Sequence, residues 1–335
     1  MPLFLNAQEI INNAQIINRV SNHNNALNLE WSGSGFYLKF SGDYISVEFE
    51  NLKTEQPIYI RAEVDGGCSQ IFSVSTGREV LKCADLENGE HILKLIRITE
   101  PRRSDADPRL IISRVTIMGI GAEVLPLKME EKRKITFIGD SITCGWGVYG
   151  ECEGTGYASA QQDVTKTYAY RIIREFDLDY QIVARSGQGI VCSCDGERGN
   201  VAEEFFEYES PFLMDNYDHS KWNPDLVIIN LGTNDSAGRA DHTVFYETAK
   251  RFLKRIRECY RDAKIIWTYG AMGGIIGKNA QKAIEDLGDE NIFYYGSPEI
   301  SREIINRGVS YHPNVRGQKV LSDLLIDFIK QNNIL

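Results

Sequence analysis

Two periodicities divide the chain. Up to about residue 125, apolar and polar residues alternate in short runs, as with Ile45, Val47 and Phe49 against Tyr44, Ser46 and Glu48. A period of two marks a half-buried strand. The pattern predicts strands at 28–30, 35–40, 44–50, 58–64, 69–74, 79–84, 90–98 and 110–118. Turn signals such as Ser41-Gly42-Asp43, Asp65-Gly66-Gly67 and Glu87-Asn88-Gly89 separate them. Many short strands at regular spacing, without helices, predict an antiparallel β-sandwich of jelly-roll form. The polar stretch 101–108 reads as an exposed loop.

Gly119, Gly121 and Pro126 break this pattern, and a different one follows. Apolar, β-rich runs at 135–138, 181–184, 226–231, 264–269 and 291–295 alternate with helical stretches at 167–176, 244–261, 280–287 and 317–330. The last helix carries Val320, Leu324, Leu325 and Phe328 on one side. Alternation of this kind predicts a parallel sheet covered on both faces, a three-layer α/β/α domain. The expected domains are therefore 1–126, the β-sandwich, and 127–335, the α/β domain.

Composition narrows the class of function. The chain has 335 residues, 42% hydrophobic and 25% charged, which is ordinary for globular proteins. Its formal net charge is -10 and its one basic run is Lys132-Arg133-Lys134, so nucleic acid is not an expected partner. No stretch reaches the ~20 apolar residues of a membrane span, so no membrane partner is expected either. The first residues lack the basic and apolar regions of a secretory leader. The seven cysteines are odd in number and follow no zinc spacing, Cys192-Ser193-Cys194 being one residue too tight. These readings together give reduced thiols and a cytoplasmic location as expectations, with no metal and no organic cofactor. A homo-oligomer is compatible with the sequence, which does not decide it.

The candidate chemistry lies in four turns. The strand at 135–138 ends at Gly139-Asp140-Ser141, which places a hydroxyl where open α/β sheets bind ligands. Asp and Ser are also good helix caps, so this turn alone does not decide the matter. The others are Ser186-Gly187-Gln188-Gly189, Gly232-Thr233-Asn234-Asp235 and Tyr311-His312-Pro313-Asn314. A doubly wound sheet gathers all four at one edge. A serine needs a base before it becomes a nucleophile, and His312 alone of the five histidines lies in such a turn. A developing oxyanion needs donors, and the N–H groups of Ser141 and Gly187 and the amide of Asn234 suit that need. Asp140 and Asp235 read as turn-holders through side-chain to backbone bonds. His219, with Asp215 and Asp218, reads as part of a solvated loop rather than a metal site, and His242 as exposed. Trp146, Tyr149 and Trp267 fit a sugar cleft or a core equally well.

The set resembles the SGNH or GDSL hydrolase superfamily. GDSI at 139–142, SGQG at 186–189, GTND at 232–235 and HPN at 312–314 match its four blocks in order, with Gly187 the better-aligned glycine and Gly189 the alternative. The flavodoxin-like fold of that superfamily is then expected for the second domain. A β-sandwich ahead of it, with Trp31 to Gly35 leading into Phe49, is similar to carbohydrate esterase family 2, which removes acetyl groups from sugar hydroxyls. The resemblance implies Ser141 and His312 as catalytic residues and an acetylated oligosaccharide as substrate. Tyr311, just before the histidine, is an implied sugar platform, with Asp140 and Gly189 also near the substrate. One departure stands out: Val309 and Ser310 occupy the positions where most of the superfamily carries an Asp that orients the histidine. A Ser–His dyad steadied by the carbonyl of Val309 or Ser310 is expected, with a distant carboxylate such as Glu299 as the alternative. A general short-chain esterase or lipase, a sugar acyltransferase and a non-catalytic sugar-binding protein are the competing readings.

Overall fold

A computed structural model describes the whole chain except residues 24, 25, 68, 101–106, 152–155, 157 and 212–214. The chain divides into two compact units, Met1–Glu131 with Glu209–Leu213, and Lys132–Tyr208 with Met214–Leu335.

The first unit opens with β1 (Leu3–Leu5), α1 (Ala7–Asn13), β2 (Gln15–Ile17), β3 (Ser21–His23) and β4 (Ala26–Leu29). It continues through β5 (Gly35–Gly42), β6 (Tyr44–Lys53), β7 (Ile58–Val64), β8 (Gln70–Val74), β9 (Gly77–Cys83), β10 (Gly89–Arg97), β11 (Asp107–Met118) and β12 (Glu123–Leu125). The strands form two antiparallel sheets, ordered β3-β4-β11-β6-β9 and β12-β5-β10-β7-β8, with β1 added to β11 and β2 to β5. Strands β4 to β11 pair as a nested hairpin, β4 with β11, β5 with β10, β6 with β9 and β7 with β8. A long hairpin rolled into two sheets is the jelly roll. Its core comes from the inward positions of both sheets, including Phe36, Leu38, Phe40, Val47, Phe49, Leu93 and Leu95. The helix α1 is a correction to the expectation of a helix-free region. Asn6 and Glu9 form a reciprocal capping box around its first turn. The expected loop at 101–108 falls mostly on residues outside those described, and β11 starts at Asp107.

The second unit holds β13 (Lys134–Gly139), α2 (Ser141–Cys144), α3 (Tyr168–Glu175), β14 (Asp179–Ala184), α4 (Ala202–Phe205), β15 (Leu226–Asn230) and α5 (Thr233–Ala237). It ends with α6 (His242–Cys259), β16 (Lys264–Tyr269), α7 (Gly277–Leu287), β17 (Ile292–Gly296) and α8 (Val315–Gln331). All five strands are parallel, in the order β14-β13-β15-β16-β17. Numbered within the unit this is 2-1-3-4-5, the flavodoxin-like order, whose ligand site lies where the winding reverses, between β13 and β15. Central strands buried on both faces read as continuous apolar runs, and β15 is buried at every position. Helix α3 packs with α8 and α6 with α7, the pairing that right-handed crossovers give on the two faces of a parallel sheet. Trp267 is fully buried in β16, so it belongs to the core. Among the described residues no helix is long and apolar enough to cross a membrane.

Candidate active site

Strand β13 delivers Ser141 to the switch point. Asp140 caps α2, its Oδ1 accepting the Ile142 N–H at 3.0 Å, and Ser141 follows as the first helical residue, 5% exposed. His312 arrives from the other end of the unit, just ahead of α8. A 3-10 turn at Val309–Tyr311 precedes it, with Ser310 and Tyr311 both at positive φ, 49° and 65°. Such conformations persist in non-glycine residues only where the surroundings hold them. Here Gly308 N–H donates to the His312 carbonyl and Val309 N–H to Gly147, while the Asn314 side chain donates to the carbonyls of Ile305 and Arg307.

This loop sets the imidazole. Its Nδ1 lies 3.1 Å from the Val309 carbonyl oxygen and its Nε2 lies 2.7 Å from Ser141 Oγ. A carbonyl only accepts, so Nδ1 carries the proton and Nε2 presents its lone pair to the serine hydroxyl. Among the described residues no carboxylate hydrogen-bonds His312. Glu299 sits against Gly273 instead. Burial pushes the His312 pKa down to about 4, against the opposing pull of the Val309 and Ser310 carbonyls. The ring is therefore neutral at neutral pH, the state a general base requires. Trp146 packs on it with ring centroids 4.5 Å apart.

The candidate donors come from three turns. Ser141 N–H lies in the first turn of α2, where no intrahelical acceptor exists. Gly187 sits at φ +77°, which a residue with a side chain rarely adopts. No described residue accepts from its N–H, nor from that of Ser141. Asn234 bonds a residue beside each of them, its Nδ2 donating to Gln188 O at 2.9 Å and to Asp140 Oδ2 at 3.2 Å. These two bonds orient the amide. Asp235 holds the neighbouring loop by accepting the N–H groups of Ile190, Val191 and Cys192. Burial raises its pKa while those three donors act the other way.

Two expectations are corrected. Gly189 is buried with its N–H donated to Cys192 O, and a Cβ there would lie 2.2 Å from Asp235 Oδ2. It is a packing glycine and neither an oxyanion donor nor a substrate contact. Asp140 is fully buried, bonded to Ile142 and Asn234, so it holds the turn and offers no surface to substrate. Tyr311 is 58% exposed beside the histidine, with the Arg307 guanidinium 5.1 Å from its ring centre. Tyr149 is exposed and bonded to Asp163. His219 differs from the solvated histidine expected: its side chain is 9% exposed, with Nδ1 at Tyr260 OH and Nε2 at Glu207. Glu207, His219 and Cys259 bring three metal-type donors within 4.8 Å of one another. Arg255 holds Glu207 through two bonds, which makes the group an ion-pair cluster. Residues the sequence did not flag include Gln318, whose Nε2 donates to Ile142 O and whose Oε1 accepts from Tyr168 N–H. It ties α8 to α2 and α3.

A serine, a neutral histidine and an amide side chain thus stand at the switch point. The model of the GDSL-like lipase/acylhydrolase family matches residues 137–320, more than half of the chain. The chain belongs to this family. A second family model, the N-terminal domain of carbohydrate esterase 2, matches residues 16–107. Cellulase/esterase CelE of Acetivibrio thermocellus is 28% identical over 313 residues, 90% of this chain and 37% of CelE. An acetylxylan esterase/glucomannan deacetylase of Cellvibrio japonicus is 24% identical over 325 residues, 90% of this chain and 84% of that protein. This GDSL-family chain thus spans little more than a third of CelE, and 51% of another Cellvibrio japonicus relative. A family two carbohydrate esterase from Clostridium thermocellum, solved in complex with cellohexaose, has a TM-score of 0.83 at 26% identity, covering 96% of this chain and 100% of that one. The acetyl xylan esterase Est2A from Butyrivibrio proteoclasticus has a TM-score of 0.88 at 21% identity, covering 99% and 98%, which speaks to the fold.

Proposed function

We propose that the protein is a carbohydrate O-acetylesterase that works through a serine acyl-enzyme and a Ser–His dyad. The observation that carries this reading is the 2.7 Å contact between His312 Nε2 and Ser141 Oγ, with the opposite ring nitrogen on a backbone carbonyl. Ser141 Oγ attacks the acetyl carbonyl as Nε2 takes its proton. The oxyanion is held by the N–H groups of Ser141 and Gly187 and by the Asn234 amide. The tetrahedral intermediate collapses, His312 returns the proton to the leaving sugar oxygen, and the acetyl group stays on Ser141. Water, deprotonated by the same nitrogen, then releases acetate and restores the serine. The Val309 carbonyl does the orienting work of the missing Asp, fixing the tautomer without adding negative charge.

An acetylated, plant-type oligosaccharide is the proposed substrate. The relatives named for xylan and glucomannan deacetylation support it, as does the cellohexaose bound by a related esterase. Tyr311 gives the leaving sugar an exposed ring face beside the base. Mass spectrometry of acetylated xylo- and manno-oligosaccharides tests the proposal. Loss of 42 Da-type acetyl increments, on the order of one per ester cleaved, is expected with the wild-type protein and not with Ser141→Ala. Equal action on long-chain p-nitrophenyl esters, with none on sugar acetates, would replace this reading with a general esterase.

A further inference from the structure

Three side chains of metal-ligating type meet in the α/β unit, and none belongs to the four turns of the candidate active site. Glu207 follows α4, His219 opens a 3-10 turn at His219–Lys221, and Cys259 is the last residue of α6. Their donor atoms lie within 4.8 Å of one another. His219 Nε2 stands 3.3 Å from Glu207 Oε2. Zinc bonds of about 2.0–2.2 Å at a tetrahedral angle put a nitrogen and an oxygen ligand about 3.3 Å apart, so this edge of a site is already formed. A sulfur bonded at about 2.3 Å belongs about 3.6 Å from either ligand, so the Cys259 thiol reaches its place by a shift of about 1 Å.

The surroundings suit a cation. The second ring nitrogen of His219, Nδ1, lies 2.9 Å from Tyr260 OH. A partner on the second nitrogen is what fixes a ligating imidazole. Arg255 donates to both oxygens of Glu207, at 2.7 and 2.9 Å. A carboxylate oxygen has two lone pairs, so Glu207 keeps one for a metal while the guanidinium holds it in place. The His219–Glu207 contact is the longest of these four bonds, and it is the one a metal between the two atoms replaces. Phe206 and Tyr217 pack on the imidazole with ring centroids 4.5 and 5.1 Å away, and the His219 side chain is 9% exposed. Such walls keep out water and strengthen charge interactions inside them.

We propose that Glu207, His219 and Cys259 bind a zinc ion, with water in the fourth position, and that the ion staples the chain after α4 to the end of α6. The donor set selects the metal. A thiolate and an imidazole suit zinc, whereas calcium and magnesium take oxygen ligands. On binding, the Cys259 thiol loses its proton to solvent and its sulfur bonds the metal, so the dication meets two anions, a thiolate and a carboxylate. The hydrolysis proposed above uses none of the three residues, so the metal site is tested separately from that reading.

Cobalt(II) is the spectroscopic probe, titrated into the full chain after treatment with a chelator and its removal. A cobalt–thiolate charge-transfer band in the near ultraviolet and strong visible bands of four-coordinate cobalt are expected, saturating at a single ion per chain and bleached by equimolar zinc. Cys259→Ser should abolish the charge-transfer band, and His219→Gln should weaken cobalt binding about tenfold or more. No such band in the wild type, or one that either variant leaves unchanged, overturns the site. A second measurement uses the wild type alone, so it does not depend on how the variants fold. Iodoacetamide alkylates the chain with and without zinc, and peptide mass spectrometry reads each cysteine. Zinc should slow labelling of Cys259 about tenfold or more, because a metal-bound thiolate is a poor nucleophile, and should leave labelling of the exposed Cys194 as it was. Labelling of Cys259 that ignores zinc overturns the site. Equal slowing at both cysteines also overturns it, since zinc is then binding thiols without regard to Glu207 and His219.

Discussion

His312 has a hydroxyl on one nitrogen, a backbone carbonyl on the other and an indole on its face. Its burial and its indole neighbour make different predictions. Burial sets the protonation. The ring's pKa of about 4 lies below the ordinary ~6.5, so the unfolded chain takes up a proton in that interval that the folded site refuses. Folding stability from this group is therefore intact above about pH 6.5 and declines as pH falls toward 4, while the base itself stays neutral. The acid limb of kcat/KM should lie well below pH 6. A limb at the ordinary histidine value would contradict the buried, neutral ring. The indole positions. An aromatic pair contributes roughly 0.5–1.5 kcal/mol, so Trp146→Ala should lower kcat up to about tenfold. KM for a short ester should hold, and the acid limb should move up as the ring gains water. A purely structural tryptophan would leave that limb in place. In the proposed hydrolysis Asn234 acts on the oxyanion, so Asn234→Ala should cost about 3 kcal/mol of barrier, on the order of a hundredfold in kcat. An undiminished kcat would remove the amide from the proposed hole.

At the scale of elements, the site depends on how α2, α3 and α8 are fixed to one another. Gln318 is the link, buried at 1% exposure in the first turn of α8. Gln318→Leu leaves the Ile142 carbonyl and the Tyr168 N–H without their side-chain partner, at about 1–3 kcal/mol for each buried group. Urea unfolding should show a lower midpoint with an unchanged slope. A loss below about 0.5 kcal/mol would mean that water or neighbours replace the bonds. Gln318 also shows where sequence reading stops, because nothing in its spacing says that a helical Gln will bond two other elements. The longer strands of both units were legible because alternation and continuous apolar runs are local signals, and 58–64 and 264–269 match their strands end to end. The four turns were legible because a parallel sheet must gather them at one edge. Three-residue strands such as β1, β2 and β12 are too short to show a period. The helix α1 did carry a local signal, the Asn6–Glu9 capping pair, which the surrounding strand pattern masked. Asp140 and Gly189 were placed near the substrate because adjacency in sequence cannot say which side of a turn faces the cleft.

For the whole molecule, the net charge of -10 bears on which polymers can approach. A protein of this charge repels polyanions over roughly a Debye length, about 30 Å at 10 mM salt and about 8 Å at 150 mM. Acetylated glucomannan is neutral, whereas acetylated xylan decorated with glucuronate is anionic. Raising salt from about 10 to about 150 mM should therefore increase kcat/KM severalfold on the glucuronate-bearing xylan, through faster encounter. On the neutral glucomannan it should change little. The same series on p-nitrophenyl acetate shows whether the site itself responds to salt. If the acidic polymer's rate falls with salt, a local basic surface outweighs the global charge, and the preference for neutral chains is reversed. If neither polymer responds, encounter is not the step that charge controls. A rise confined to the acidic polymer ties the acidity of the whole chain to the choice of substrate, which Ser141 alone does not determine.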